Sequence, residues 1–146
     1  MRYFWILHIM VAVVAGTGLF AASQAEEVAL RGHVVCVDQA GETVACSEGA
    51  NRYALRTETG EKFFFLPSDP KSPMFDDSRV RDRELEVKAW RNQKDLEIIK
   101  VYSIHNDQLY DIHYFCELCQ IKAYVGGPCW CCQKEFELVE KPVSGK

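Results

Sequence analysis

The chain lacks any surplus of positive charge: 17 Lys and Arg stand against 21 Asp and Glu, a formal net charge of −4. Affinity for nucleic acid rests on clustered Lys and Arg, so this balance argues against that class of partner. The short signatures of common enzymes are missing too. There is no H-E-x-x-H, no G-x-S-x-G and no glycine-rich phosphate loop. No internal repeat or low-complexity segment occurs, which excludes solenoids and repeat arrays. Nothing in the sequence points to a catalytic residue. A Ser–His–Asp arrangement would have to assemble in space.

What is present begins with residues 1–25, which read as a signal peptide. Arg2 supplies the positive start, an apolar run follows from Tyr3 to Val14, and small residues lead to Ser23-Gln24-Ala25 before acidic Glu26-Glu27. The alternative is an uncleaved membrane anchor, because about 20 weakly polar residues can just span a bilayer. Either way, Arg2 inside and Glu26-Glu27 outside place the remainder across the membrane. The expected location is therefore periplasmic or extracellular. No cysteine closes the apolar run, which argues against a lipid-anchored N-terminus. Cleavage after Ala25 leaves 121 of 146 residues and removes Arg2 alone among the charged side chains, moving −4 to −5. A domain of that size buries about two thirds of its unfolded surface.

The pattern from Val28 to Phe115 favours strands. Leu30 to Val37 is rich in β-branched residues and ends at the turn signal Asp38-Gln39-Ala40-Gly41. Tyr53–Thr57 and Lys62–Leu66 flank Glu58-Thr59-Gly60-Glu61 and read as a hairpin. Within it, Phe63 and Phe65 should share one face, while Phe64 meets another layer. Pro67, Pro70 and Pro73 exclude a central strand there. Met74 to Asp82 then reads as a short helix capped by Ser72, with Pro73 first. Glu84–Trp90, Asp95–His105 and Leu109–Phe115 complete the strands. Five or six strands with one helix after the third suggest a mainly β fold, a small OB-like, partly open barrel. A β-sandwich or a meander is the alternative.

Seven cysteines are many for so short a chain. Cys116-Glu117-Leu118-Cys119 and Cys129-Trp130-Cys131-Cys132 are two C-x-x-C units separated by nine residues. Two intervening residues make the tight turn that brings two thiolates onto one metal ion, and two such turns complete a tetrahedron. The leading reading is one structural zinc held by Cys116, Cys119, Cys129 and Cys132. Gly126-Gly127-Pro128 supplies a bend between the units, and Lys122 and Lys134 can offset the thiolate charge. The rivals are disulfides, since export implies an oxidising compartment, and a redox pair. Gln120 and Gln133 follow the units where glycine often relieves the backbone. Cys131 is left over, or acts as an alternate ligand in a soft-metal site of the kind Cu(I) prefers. Cys36 and Cys46 flank a turn and are expected to form a disulfide, with two buried thiols as the alternative.

The stretch from Tyr114-Phe115-Cys116 through Gly127-Pro128-Cys129-Trp130-Cys131-Cys132-Gln133 resembles the tail of a group of small uncharacterised exported bacterial proteins. It is also similar, more loosely, to zinc-ribbon knuckles. The resemblance implies a β domain with a C-terminal metal site, and no particular reaction.

Among the remaining residues, His113 stands three before Cys116 and can serve as a substitute ligand; the competing reading is a strand histidine with a satisfied ring. Asp69, Asp76 and Asp77 lack the spacing of a calcium loop and read as a solvated charged loop. The residues 76–84 read as a wet surface. The organisation expected is a signal peptide (1–25), a β-barrel-like domain (26–113), a four-cysteine element (114–140) and a disordered tail (141–146). The expected role is a non-enzymatic exported binding or accessory module whose partner is a protein or envelope component. A periplasmic zinc or copper carrier is the second reading, and a thiol–disulfide oxidoreductase the third.

Overall fold

A computed structural model describes residues 24–47 and 52–144. Most of the expected signal peptide lies outside the described residues. Among those described, no helix is long and apolar enough to cross a membrane.

The chain is mainly β. Its strands are β1 (Glu26–Val37), β2 (Thr43–Val44), β3 (Arg52–Arg56), β4 (Lys62–Phe65), β5 (Leu85–Asn92), β6 (Asp95–His105), β7 (Gln108–Cys116), β8 (Ile121–Ala123) and β9 (Glu137–Pro142). Five of them close a ring. β1 pairs β3, β3 pairs β4, β4 pairs β6 in parallel, β6 pairs β5, and β5 returns to β1. β1 can serve two neighbours because it changes partner midway: residues 26–32 pair β5 and residues 33–37 pair β3. The change falls at Gly32. A Cβ there would stand 2.2 Å from the Arg56 carbonyl oxygen, so only glycine lets β3 approach the corner.

The alternation read in the sequence places the core. Val34, Leu55, Phe63, Phe65, Val87 and Val101 point inward from five strands. Each such side chain contributes about 1.5–3 kcal/mol by leaving water. Phe63 and Phe65 do share the inner face, and the Phe64 ring lies against Gly41 at the β1–β2 turn. Cys36 and Cys46 are joined in a disulfide, with Cα atoms 5.3 Å apart. It ties the end of β1 to the segment just after β2, a two-residue strand too short to leave an alternating signal.

The segment between β4 and β5 differs from expectation. In place of one helix over Met74–Asp82 there is a 3-10 turn, Ser72–Asp76, followed by α1 (Ser78–Arg81). Asp77 separates them in an extended conformation and caps α1, accepting the Arg79 N–H at 2.8 Å. Ser72 is no cap: it is buried, and its hydroxyl donates to the Leu66 carbonyl. The break lets Met74, Phe75 and Val80 all bury completely.

The acids of this segment are a solvated loop only in part: Asp76 is exposed, but Asp77 is half-buried and Asp69 buried. Asp69 is buried and accepts the N–H groups of Lys71 and Ile98. Asp76 and Asp77 take the hydroxyls of Tyr53 and Tyr114. Burial pushes the Asp77 carboxyl up, but hydrogen bonds from Arg79 and Tyr114 outweigh it and hold it below the usual range. The segment is thus fastened by two tyrosines, Tyr53 of the ring strand β3 and Tyr114 of β7.

β7 continues the sheet outward from β6 and pairs β8 and β9. The expected boundary at residue 114 therefore falls inside a strand. The tail is also shorter than expected, because β9 runs through Pro142 and the Val143 N–H still donates to Leu109.

Gly32→Ala is expected to lower stability by about 2–3 kcal/mol, the overpacking range for a backbone that must shift. Urea unfolding measures it, and an unchanged midpoint would show that Arg56 does not press on this corner. Replacing Cys36 and Cys46 together with alanine is expected to cost about 2–3 kcal/mol by freeing a short loop in the unfolded chain. The same titration reads it.

Candidate metal centre

β7 delivers Cys116 at its last position, and the chain turns back into β8 with Cys116 opposite Ile121. The second C-x-x-C repeats this plan. The Cys129 N–H donates to the Lys134 carbonyl at 2.7 Å, and Pro128 bridges Glu135. In both cases the partner lies five residues beyond the first cysteine, so both units are tips of tight hairpins.

The backbone closes both tips in the same way. Gln120 and Gln133 occupy left-handed conformations, with φ of 57° and 62°. This is the strained position at which the sequence led one to miss glycine. Each glutamine amide instead donates to its own turn, Gln120 to the Glu117 carbonyl and Gln133 to the Cys129 carbonyl. The N–H groups of Leu118 and Cys119 approach the Cys116 sulfur, and those of Cys131 and Cys132 approach the Cys129 sulfur. Such donors favour thiolates, the form a metal requires.

The two tips face one another. The Sγ atoms of Cys116, Cys119, Cys129 and Cys132 all lie within 4.8 Å of each other, and can hold a metal ion. Across the two units, the Cys116 and Cys132 sulfurs stand 3.5 Å apart. Cys116 and Cys129 are buried, while Cys119 and Cys132 are half-buried. Burial pushes the Cys129 thiol up, but backbone N–H groups and the Cys116 and Cys132 thiols outweigh it and bring it to about 7. Cys119 moves the other way, raised first by the Cys131 thiol and then by burial. At Cys116 the Cys119 N–H favours the thiolate, yet burial and the Cys132 and Cys129 thiols outweigh it and raise the group.

The structure separates several residues that sequence proximity had grouped. Cys131 is exposed and outside the four-sulfur set, though its thiol reaches Cys119. Lys122 is drawn to Asp111 at 3.0 Å, away from the sulfurs. Lys134 lines a shallow cleft with Cys116 and Glu117. His113 also lies outside the cluster. Its ring is buried, as a strand histidine's would be, but it is not satisfied: Nδ1 has no hydrogen-bond partner. Burial and the nearby Lys122 lower its pKa.

One polar group was not legible beforehand. Ser103, His105 and Arg83 all donate to Glu140, which joins residues from three separate segments. The hydroxyl and the imidazole both end on Glu140 Oε1, and neither bonds the other. The imidazole is therefore not placed on the hydroxyl, as a Ser–His nucleophile requires.

The left-handed glutamines allow a direct check of the turns. Gln120→Val and Gln133→Val are each expected to cost about 1–2 kcal/mol, because a β-branched residue is a steric outlier at positive φ. Glycine at either position is expected to be tolerated within about 1 kcal/mol. Urea midpoints report both, and equal stability of the valine and glycine variants would contradict the turn geometry.

Comparison with known protein families, curated proteins and solved structures finds no match.

Proposed function

We propose that the protein is an exported, non-enzymatic binding or accessory module in which a structural zinc ion fastens a zinc-ribbon-like element to an OB-like barrel. The observation that carries this is the pair of matching hairpin tips with four sulfurs gathered between them. Zn–S bonds of about 2.3 Å in a tetrahedron need sulfurs roughly 3.5–4 Å apart, so the cluster requires slight contraction. Ligands from the end of β7 and from the segment before β9 would tie two hairpin tips together at one end of a pair of adjacent strands. A metal so placed supplies folding energy and no reaction.

Two features support export. The disulfide suits an oxidising compartment. The first strand begins at Glu26, immediately after the expected cleavage position. The OB-like reading is supported by the closed five-strand ring with its short helix between the third and fourth ring strands. Likeness to the small exported bacterial group rests on the cysteine tail alone.

A carrier function is the second reading, favoured by one observation. Cys131 is exposed beside Cys119, where an incoming ligand exchange would need a fifth thiol. A redox function has less support, because both C-x-x-C units form hairpin turns and neither starts a helix.

Protein purified from the cell envelope is expected to carry one zinc per chain and, after denaturation with chelator, to show the five free thiols. Cys129→Ser is expected to abolish zinc retention. Rapid zinc exchange that Cys131→Ser stops would favour the carrier. Metal-free protein with both C-x-x-C units closed as disulfides would overturn the structural-zinc reading.

A further inference from the structure

The five lysines Lys71, Lys88, Lys100, Lys122 and Lys141 are scattered in sequence, yet the fold collects them on one face. Three aromatic rings thread between them. Tyr102 lies under Lys88 and Lys100, with ammonium groups 5.7 and 5.9 Å from its centroid. Tyr124 lies under Lys71 and Lys122, each at 5.8 Å. Phe115 lies under Lys141 at 5.6 Å. The strip is continuous, because Lys100 and Lys122 take the two oxygens of the same carboxylate, Asp111.

The arrangement is costly as a mere surface. Lys88 stands directly opposite Lys100 across β5 and β6, beside the bulge at Lys88/Ala89, and like charges so placed destabilise a sheet. Acids adjoin the strip at Asp111, Glu86 and Glu137. Lys100 and Lys122 take Asp111 at 2.7 and 3.0 Å, and Arg31 takes Glu86 at 2.8 Å. A chain of net charge −4 therefore presents one locally cationic face.

Lys100, Tyr102, Asp111, Lys141, Pro142 and Val143 line a cleft of about 310 Å³ there. That is the lower end of small-ligand sites, roughly 300–1,000 Å³. Beneath the lysines, His113 Nδ1 is buried without a hydrogen-bond partner, 3.7 Å from Asp111 Oδ1, which Lys100 already takes at 2.7 Å. A ligand that supplies only negative charge would leave the imidazole nitrogen unmet. A hydroxyl can donate to it or accept from it as its tautomer requires, directly or through a water.

We propose that this strip binds an anionic, hydroxyl-rich glycan bearing carboxylates. The lysines would pair its carboxylates, the half-exposed tyrosine rings would contact sugar faces, and a hydroxyl would answer His113. The choice of a glycan over other polyanions rests on that unpartnered imidazole nitrogen and on the exported-module reading. The cationic strip itself depends on neither zinc nor export.

The test titrates the full-length protein with a hexameric oligouronate, its neutral hexose counterpart and a hexameric single-stranded DNA, by calorimetry. The oligouronate is expected to bind at least about tenfold more tightly than either comparator. Lys100→Ala and Tyr102→Ala are each expected to weaken it about tenfold, and Lys94→Ala, on a remote turn, to leave it unchanged. Because Lys100 is half-buried, exposed Lys141→Glu serves as a second variant and is expected to weaken binding equally. Zinc content and circular dichroism of each variant separate loss of this site from loss of the metal element. No oligouronate binding by folded, zinc-loaded protein overturns the proposal. Equal or tighter binding of DNA overturns the glycan assignment, and an equal effect of Lys94→Ala overturns the location.

Discussion

The backbone pairing of β7 is the constraint on which the rest depends. One edge of that strand is held by β6, inside the ring, and its remaining hydrogen bonds hold β8 and β9. Its inward side chains, Ile112 and Tyr114, pack in the core, and its last residue is Cys116. A one-residue slip would turn every one of these to the other face. It would withdraw Tyr114 from Asp77, expose the core and carry the first sulfur away from the other three. The register of one strand thus couples the core, the β4–β5 segment and the cluster.

The cluster and the segment between β4 and β5 show two ways of fastening irregular backbone. At the hairpin tips, short local bonds do the work: a sulfur accepting two N–H groups, and a glutamine amide closing its own turn. At the segment between β4 and β5, tyrosine hydroxyls reach from β3 and β7 to Asp76 and Asp77. Both place polar groups next to apolar packing without leaving them unpaired, which is what buried irregular segments require. His113 is the departure from that economy, and it lies under the lysine strip.

Much of the plan was readable because it follows period-two patterning. The β3–β4 hairpin, the inward Phe63 and Phe65, and the long β6 all appear in the alternation and turn residues. The pairing of Cys36 with Cys46 follows from a turn between two thiols. Less readable were features set by tertiary demand. The helix broke at Asp77 because Met74, Phe75 and Val80 must all face the ring, which no single helix face allows. The acids there looked solvated because their tyrosine partners are distant in sequence. The lysine strip was invisible for the same reason: its members come from the β4–β5 segment and four strands. For the cysteines, spacing selected the set that the fold gathers, and the left-handed glutamines show why glycine is dispensable there.

The separation of the cysteines along the chain also sorts them in time. Under the proposed export, a polypeptide threaded N-terminus first would present Cys36 and Cys46, ten residues apart, long before Cys116 emerged. Their short loop closes at little entropic cost. Oxidation would then consume the two early thiols with each other while the other five were still unmade or unthreaded. Such an order of emergence would keep the disulfide chemistry at one end from scrambling the sulfur cluster at the other.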